Sequence, residues 1–222
     1  MTVTLADELL LLAYDDAGSA VIDTSSLDLG LAGALLVELA LAGRVGVVDK
    51  RVVVTDPLPT GEPIADAALA TIAADAKRRK PEDWVNRLDG GLRQQLLGRL
   101  VDAGVLRRDE DKVLWVFPRT RYPSTTGGEP AVEADARHRV EAALAGTGPV
   151  DARTAALCAL IKAVGLERAF PDRPAKEVRK RLGVIAEGDW ASTAVRKAIG
   201  EMQAAVAVVI TSAAIATTAT NT

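Results

Sequence analysis

The sequence predicts a mainly α-helical fold: a single globular domain around a buried central helix, with two short β-hairpins at its periphery. Three observations predict it. From Leu29 to Ala42 only Glu38 interrupts an apolar run, and a helix that is hydrophobic all round belongs in the centre of a domain. Gly43 then acts as a C-terminal stop, and two β-branched runs, 45–48 and 52–54, follow, joined by Asp49-Lys50-Arg51 in the pattern of a hairpin. A shift of sixty-one residues brings the pattern back without a gap, so that Leu35, Leu36, Leu39, Ala42, Gly43, Val52 and Pro57 fall on Leu96, Leu97, Leu100, Ala103, Gly104, Val113 and Pro118. Two copies are too few for a solenoid, so the helix–hairpin repeat reads as pseudo-symmetry inside one domain, residues 1–216, ahead of a disordered tail, 217–222.

The elements follow in order. Thr4 with Asp7 makes a capping box, after which Leu5, Leu9 and Leu12 recur at helical spacing. Residues 14–18 end that helix, and 19–23 are an extended link to the central one. After the first hairpin, 56–63 is a turn-rich loop of Pro and Gly. A helix over 64–76 carries Ile64, Ala68, Leu69 and Ile72 on one face and runs into Lys77-Arg-Arg-Lys80, where cations suit the carbonyl end. Pro81 starts a shorter helix with Trp84, Val85 and Leu88 inside, and Gly90-Gly91 breaks it. The second helix–hairpin unit occupies 92–117, with Asp109-Glu-Asp111 at the hairpin tip. Phe117-Pro-Arg-Thr-Arg-Tyr-Pro123 is a basic, aromatic loop stiffened by prolines, and 124–130 is flexible by composition. Helices follow over 132–145, 151–164 and 176–186. Asp189 caps a last long helix through Trp190, Val195, Ile199, Met202 and Val206, whose alanine-rich end, 204–216, is expected in the core.

Composition narrows the function classes. The hydrophobic fraction is 49% with only 3% aromatic, so Ala, Val and Leu do the packing. With 27 basic and 30 acidic residues the net charge is −3, whereas a dedicated nucleic-acid binder is usually basic. The one cysteine, Cys158, excludes an internal disulfide and suits a reducing compartment. The amino terminus has no basic segment ahead of an apolar one, and no window reaches about eighteen uninterrupted apolar residues, so a cytoplasmic protein is expected. The preference for Ala, Val and Arg over Lys and Phe points to a GC-rich bacterial genome.

Catalysis has little material. His138 lies between Arg137 and Arg139 on a polar helix, and Cys158 sits among Leu157, Ala159 and Leu160, the setting of a buried structural thiol. No zinc spacing, phosphate loop or nucleophile elbow occurs. The sequence predicts no enzyme, no metal and no cofactor. The helix–hairpin units are built like a winged helix, yet residues 29–42 hold no basic side chain, and in the second unit Arg93 and Arg99 stand beside Asp102. Nucleic acid is therefore not the expected partner. Basic clusters at 77–80, Arg119 with Arg121, Arg173 with Lys176, and 179–181 are either solvated faces or, where two converge, a face attracted to anionic lipid.

Leu5-Ala-Asp-Glu-Leu-Leu-Leu-Leu12, then Gly30-Leu-Ala-Gly-Ala-Leu-Leu-Val-Glu-Leu-Ala-Leu-Ala-Gly-Arg44, then Pro59-Thr-Gly-Glu-Pro63, Trp84, Gly104-Val-Leu106 and Ala159-Leu-Ile161 resemble the Golgi phosphoprotein 3 family over nearly the whole chain. The resemblance implies a predominantly helical peripheral membrane adaptor. Its eukaryotic members bind phosphatidylinositol 4-phosphate and retain Golgi glycosyltransferases. Anionic phospholipid or a membrane surface is thus the expected partner, with a protein client as the alternative and an oligomer compatible with either. The family's head-group pocket uses a tryptophan and an arginine flanking the start of the central helix, and two arginines at the start of the later helix. Here Ala32 stands at the first arginine, the tryptophan position falls near Asp23, and only Arg153 answers the later pair. The family's apolar insertion hairpin corresponds to 167–176, with Phe170 its one large apolar side chain. The candidate head-group residues are Arg153, where helix N–H groups and dipole favour a phosphate, and Arg121 and Arg119, with Tyr122 beside them. Arg121 serves equally well as the partner of a core-facing carboxylate.

Overall fold

A computed structural model describes residues 2–113, 117–188, 190, 191 and 193–219. Thr4 opens α1 (Leu5–Leu12) with the expected box: its hydroxyl accepts from the Asp7 N–H at 3.2 Å, and the Asp7 carboxylate accepts from the Thr4 N–H at 2.8 Å. The central helix α2 (Thr24–Leu41) begins at Asp23, whose carboxylate caps Ser26 N–H at 2.8 Å. It packs against α1, α3 (Pro63–Ala74), α4 (Pro81–Leu88), α5 (Leu92–Asp102), α7 (Ala152–Val164) and α9 (Thr193–Ala219). Around it, α6 (Ala131–Ala145) lies against α1 and α7, and α8 (Ala175–Ala186) against α7. Leu35, Leu36, Leu39, Leu96, Leu97 and Leu100 are all buried in one core.

Two glycines let α2 take neighbours on all sides. A Cβ on Gly30 would lie 2.3 Å from Val164 Cγ1, and one on Gly33 would lie 2.1 Å from Val206 Cγ2. Valines of α7 and α9 therefore rest directly on the α2 backbone, closer than any residue with a side chain allows.

The two hairpins are antiparallel pairs, β1 (Val45–Val48) with β2 (Arg51–Val54), and β3 (Asp109–Val113) with β4 (Phe117–Arg121). The repeat is present in the helices and their stops. Gly43 and Gly104 both have φ +71°, and matching bonds close the ends, Arg44 N–H to Leu39 C=O at 2.8 Å and Val105 N–H to Leu100 C=O at 2.9 Å. The gapless match fails beyond them. The threonine that returns to the glycine carbonyl, at 2.7 Å in each copy, is Thr55 in the first and Thr125 in the second. That spacing is seventy residues against sixty-one for the glycines, so nine extra residues lengthen the second hairpin. Asp109-Glu-Asp111 accordingly lies within β3, not at a tip, and residues 117–121 are a strand, not a loop.

Three other expectations change. The helix α3 stops at Ala74, and residues 75–80 run alongside β2, where Val52 N–H donates to Arg79 C=O at 2.9 Å. Phe170 is only 3% exposed, with the Arg137 guanidinium 5.8 Å above its ring, so the segment matching the family's insertion hairpin turns its apolar side chain inward. Helix α9 contributes Ile199, Met202, Ala205, Val206 and Val209 to the core, but Thr211 to Ala216 are exposed, Ile215 at 64%, and the helix continues to Ala219 past the expected start of the tail. Asp189 and residues 220–222 lie outside the described residues.

Candidate functional site

The sequence-derived site residues do not converge. Arg153, in the first turn of α7, donates to Glu8 at 3.0 Å, to both oxygens of Glu38 at 3.1 and 3.2 Å, and to the Val3 carbonyl at 2.9 Å. Glu38, the one charged residue between Leu29 and the end of the central helix, also accepts the Leu5 N–H at 2.7 Å, capping α1. Arg139 of α6 reaches Glu8 at 2.8 Å, so four helices meet at this network. Burial raises the Glu8 carboxyl above its ordinary range, while the charges of Arg153 and Arg139 pull it down. Arg153 thus has its donors directed at the protein. Ala32 is fully buried, and Asp23 is the α2 cap at the edge of a cavity that neither Ala32 nor Arg153 lines, so the positions matching the family's head-group residues do not share one pocket.

Arg119 stands elsewhere, on β4, in a cleft of about 430 Å³ between the α1–α2 connection, the start of α5 and the second hairpin. Its guanidinium donates to Ser19 at 2.8 Å. Arg93 and Arg108 line the same cleft, together with Tyr14, Thr24, Gln94 and Tyr122. Arg93 is held by Asp28 at 2.7 Å, and Arg108 pairs with the exposed Glu110 at 2.7 Å. The backbone builds this place tightly. Tyr122 N–H donates to Gly18 C=O at 2.9 Å, and a Cβ on Gly18, which has φ +75°, would lie 2.3 Å from Pro123 N. α5 begins at Gly91 without a side-chain cap, and Arg93 and Gln94 of its first turn line the cleft, near the positive end of the helix dipole. Cations, the positive end of a helix dipole and two tyrosine edges at one concavity are the chemistry that takes a phosphate-bearing head group. Arg121, the last residue of β4, is half-buried opposite Asp109 in the strand register and does not line the cleft.

Cys158 is fully buried, and desolvation pushes its thiol up to about 12. His138 is exposed. Among the described residues no three His, Cys, Asp or Glu side chains gather as a metal site. Arg99 of α5 is turned onto Asp7 and Glu62. Arg93 is paired with Asp28 at the wall of the cleft, so the two arginines of that helix face different ways and form no common face for a DNA groove.

The model of the Golgi phosphoprotein 3 family matches residues 5–202. The chain belongs to the Golgi phosphoprotein 3 family. It is similar to the vacuolar protein sorting-associated protein 74 of Eremothecium gossypii, with 31% identity over 147 residues, covering 55% of this chain and 44% of that protein. The chain thus matches somewhat less than half the length of that relative. Arg153 ties the Leu-rich first helix, through Glu8, to Glu38 of the central helix, which places it among the fold's own contacts.

The cleft residues Arg93, Arg108, Tyr14 and Thr24 were not legible as a site. Ser19 and Arg119 are a hundred residues apart in sequence, and no local pattern announces that the α1–α2 connection lies on the second hairpin. The one available signal was Arg119 with Tyr122 between prolines.

Proposed function

We propose that this chain is a non-enzymatic, cytoplasmic adaptor that sits peripherally on a membrane, at its inner face, by taking an anionic phospholipid head group into the arginine cleft. The observation that carries the reading is the meeting of Arg93, Arg108 and Arg119 at the uncapped start of α5. Family membership supports the adaptor class, and the family resemblance makes phosphatidylinositol 4-phosphate the first head group to test. The buried, unreactive Cys158 and the exposed His138 support a non-enzymatic role. Two helices, α2 and residues 195–216 of α9, are long and apolar enough to cross a bilayer, but α2 is the core of the domain and α9 supplies core side chains, which supports a peripheral attachment.

The test is co-sedimentation with phosphatidylcholine vesicles carrying or lacking phosphatidylinositol 4-phosphate. Arg119→Ala is expected to weaken binding about tenfold, the loss of one charge-assisted contact of roughly 1.5 kcal/mol, with the melting temperature unchanged. Equal binding by Arg119→Ala and the unsubstituted protein refutes the cleft.

A second reading, a protein client, is favoured by a cavity of about 620 Å³ beside the start of α2. Its wall mixes Leu12, Val21, Ile22 and Leu166 with Asp15, Asp16, Glu133, Arg137 and Arg168, which suits a short apolar segment flanked by polar or charged groups.

A further inference from the structure

At the other end of α2, roughly 27 Å from the cleft by the rise of an eighteen-residue helix, two of the basic runs come together. The turn of the first hairpin lies beside residues 75–80: Val52 N–H donates to Arg79 C=O at 2.9 Å, and the Arg51 guanidinium donates to Arg78 C=O. This gathers Lys50, Arg51, Lys77, Arg78 and Lys80, all exposed, on one surface. Arg79 is occupied by Asp75 at 2.7 Å, and the Arg87 guanidinium lies 3.8 Å from the same carboxylate as a looser ion pair. Among the described residues, no carboxylate forms an ion pair with any of the other five. In a chain of net charge −3, that is a local excess of cations, with the carboxylates of Asp49, Asp75 and Asp83 close to it in sequence.

The turn itself is unusual. Asp49 and Lys50 have φ +50° and +58°, the mirror-image turn that twists with the strands but favours glycine and asparagine. A lysine there is strained relative to glycine. Next to it Val48 is 51% exposed, paired across the turn with Arg51. The tip thus offers an apolar side chain in the middle of a ring of cations.

We infer that this surface, formed by the first hairpin turn and residues 75–80, docks onto an anionic phospholipid bilayer. The inference rests on the peripheral-membrane reading and adds to it a contact separate from the cleft. Charge complementarity selects the partner: unpaired Lys and Arg are drawn to an anionic leaflet, and Val48 can enter the boundary of head groups and acyl chains. Nucleic acid fits less well, because 48–51 and 75–80 contain no aromatic side chain for a base to stack on, and an exposed Val48 gains nothing against phosphate.

The test uses the full chain, vesicles of phosphatidylcholine with and without phosphatidylserine, and the triple variant Lys50→Gly, Lys77→Gln, Arg78→Gln. The unsubstituted protein is expected to bind only the phosphatidylserine vesicles and to be released by salt. The triple variant is expected to bind roughly 100-fold more weakly, about fivefold per cation, with a melting temperature that is not lowered, since glycine relieves the turn. Binding by the variant equal to the unsubstituted protein overturns the inference, as does tighter binding of the unsubstituted protein to a DNA duplex than to phosphatidylserine vesicles at the same salt. A protein that binds phosphatidylinositol 4-phosphate vesicles yet ignores phosphatidylserine refutes this surface and leaves the cleft standing. One that binds neither refutes both.

Discussion

Replacing Arg153 with alanine removes the guanidinium that ties α7 to Glu8 of α1 and Glu38 of α2. Taking one partner from a fully buried ion pair costs about 3–5 kcal/mol. Two features reduce that figure here. Arg153 is 30% exposed, and both carboxylates keep another partner, Glu8 the Arg139 guanidinium and Glu38 the Leu5 N–H. About 2–3 kcal/mol remains, which in a domain of this length lowers the melting temperature by roughly 5–10 °C. The pH dependence has a definite sign. Burial already raises the Glu8 carboxyl, and losing Arg153 raises it further, so the folded variant binds a proton more readily than the unfolded chain. Its deficit should therefore shrink as pH falls from 8 toward the raised Glu8 value and be largest where Glu8 must stay ionised. Thermal melts followed by circular dichroism at several pH values, alongside vesicle binding, measure both quantities. An Arg153→Ala protein that melts within about 1 °C of the parent, but no longer binds phosphate-bearing vesicles, would refute the structural assignment and make Arg153 a head-group ligand.

Other substitutions test the core. Leu39→Asp places an unpaired carboxylate at a fully buried position of α2, a cost of several kcal/mol, and should abolish cooperative melting; a soluble protein with a sharp transition counts against the central-helix arrangement. Gly33→Ala should destabilise by about 1–3 kcal/mol through overpacking against Val206, and adding Val206→Ala should recover part of the loss; additive effects in chemical denaturation contradict the contact. The Cys158 thiol, held protonated to about 12 against 9.0 for an unperturbed thiol, should resist alkylation in the native state at pH 8. Because the unfolded chain releases that proton first, stability should fall as pH rises from about 9 to 12, by at most about 1.4 kcal/mol per pH unit; a Cys158→Ala variant with an identical alkaline profile contradicts it.

Much of the fold was legible because its signals are local. The Thr4–Asp7 box, the apolar run of α2 that only Glu38 interrupts after Leu29, and the glycine stops at 43 and 104 each depend on residues within one or two turns. What was illegible depends on distance. Arg153 and Glu8 are 145 residues apart, and a lone arginine in a first helical turn looks the same whether it meets a phosphate or a buried glutamate. The second hairpin was mis-registered because its β-branched and aromatic residues match the first copy at one spacing, while the returning threonine obeys another. Phe170 and the end of α9 show the converse difficulty. Their apolar character was plain, but which way it faced was decided by neighbours, Arg137 over the one ring and none of the core side chains beyond Val209 for the other.

The two glycine contacts of α2 also govern the order in which the chain is completed during synthesis. The central helix is made early, yet the walls that rest on Gly30 and Gly33 come from Val164 and Val206, more than a hundred residues later. At about 5–20 residues per second, α2 leaves the ribosome roughly 10–30 s before Val206 is available to cover it. During that interval the central apolar helix of the domain has one side open to water and to other nascent chains. A ribosome that stalls between α7 and α9 would therefore release a fragment with an exposed glycine groove, and shortening the chain at its carboxyl end should cause aggregation rather than a smaller stable domain.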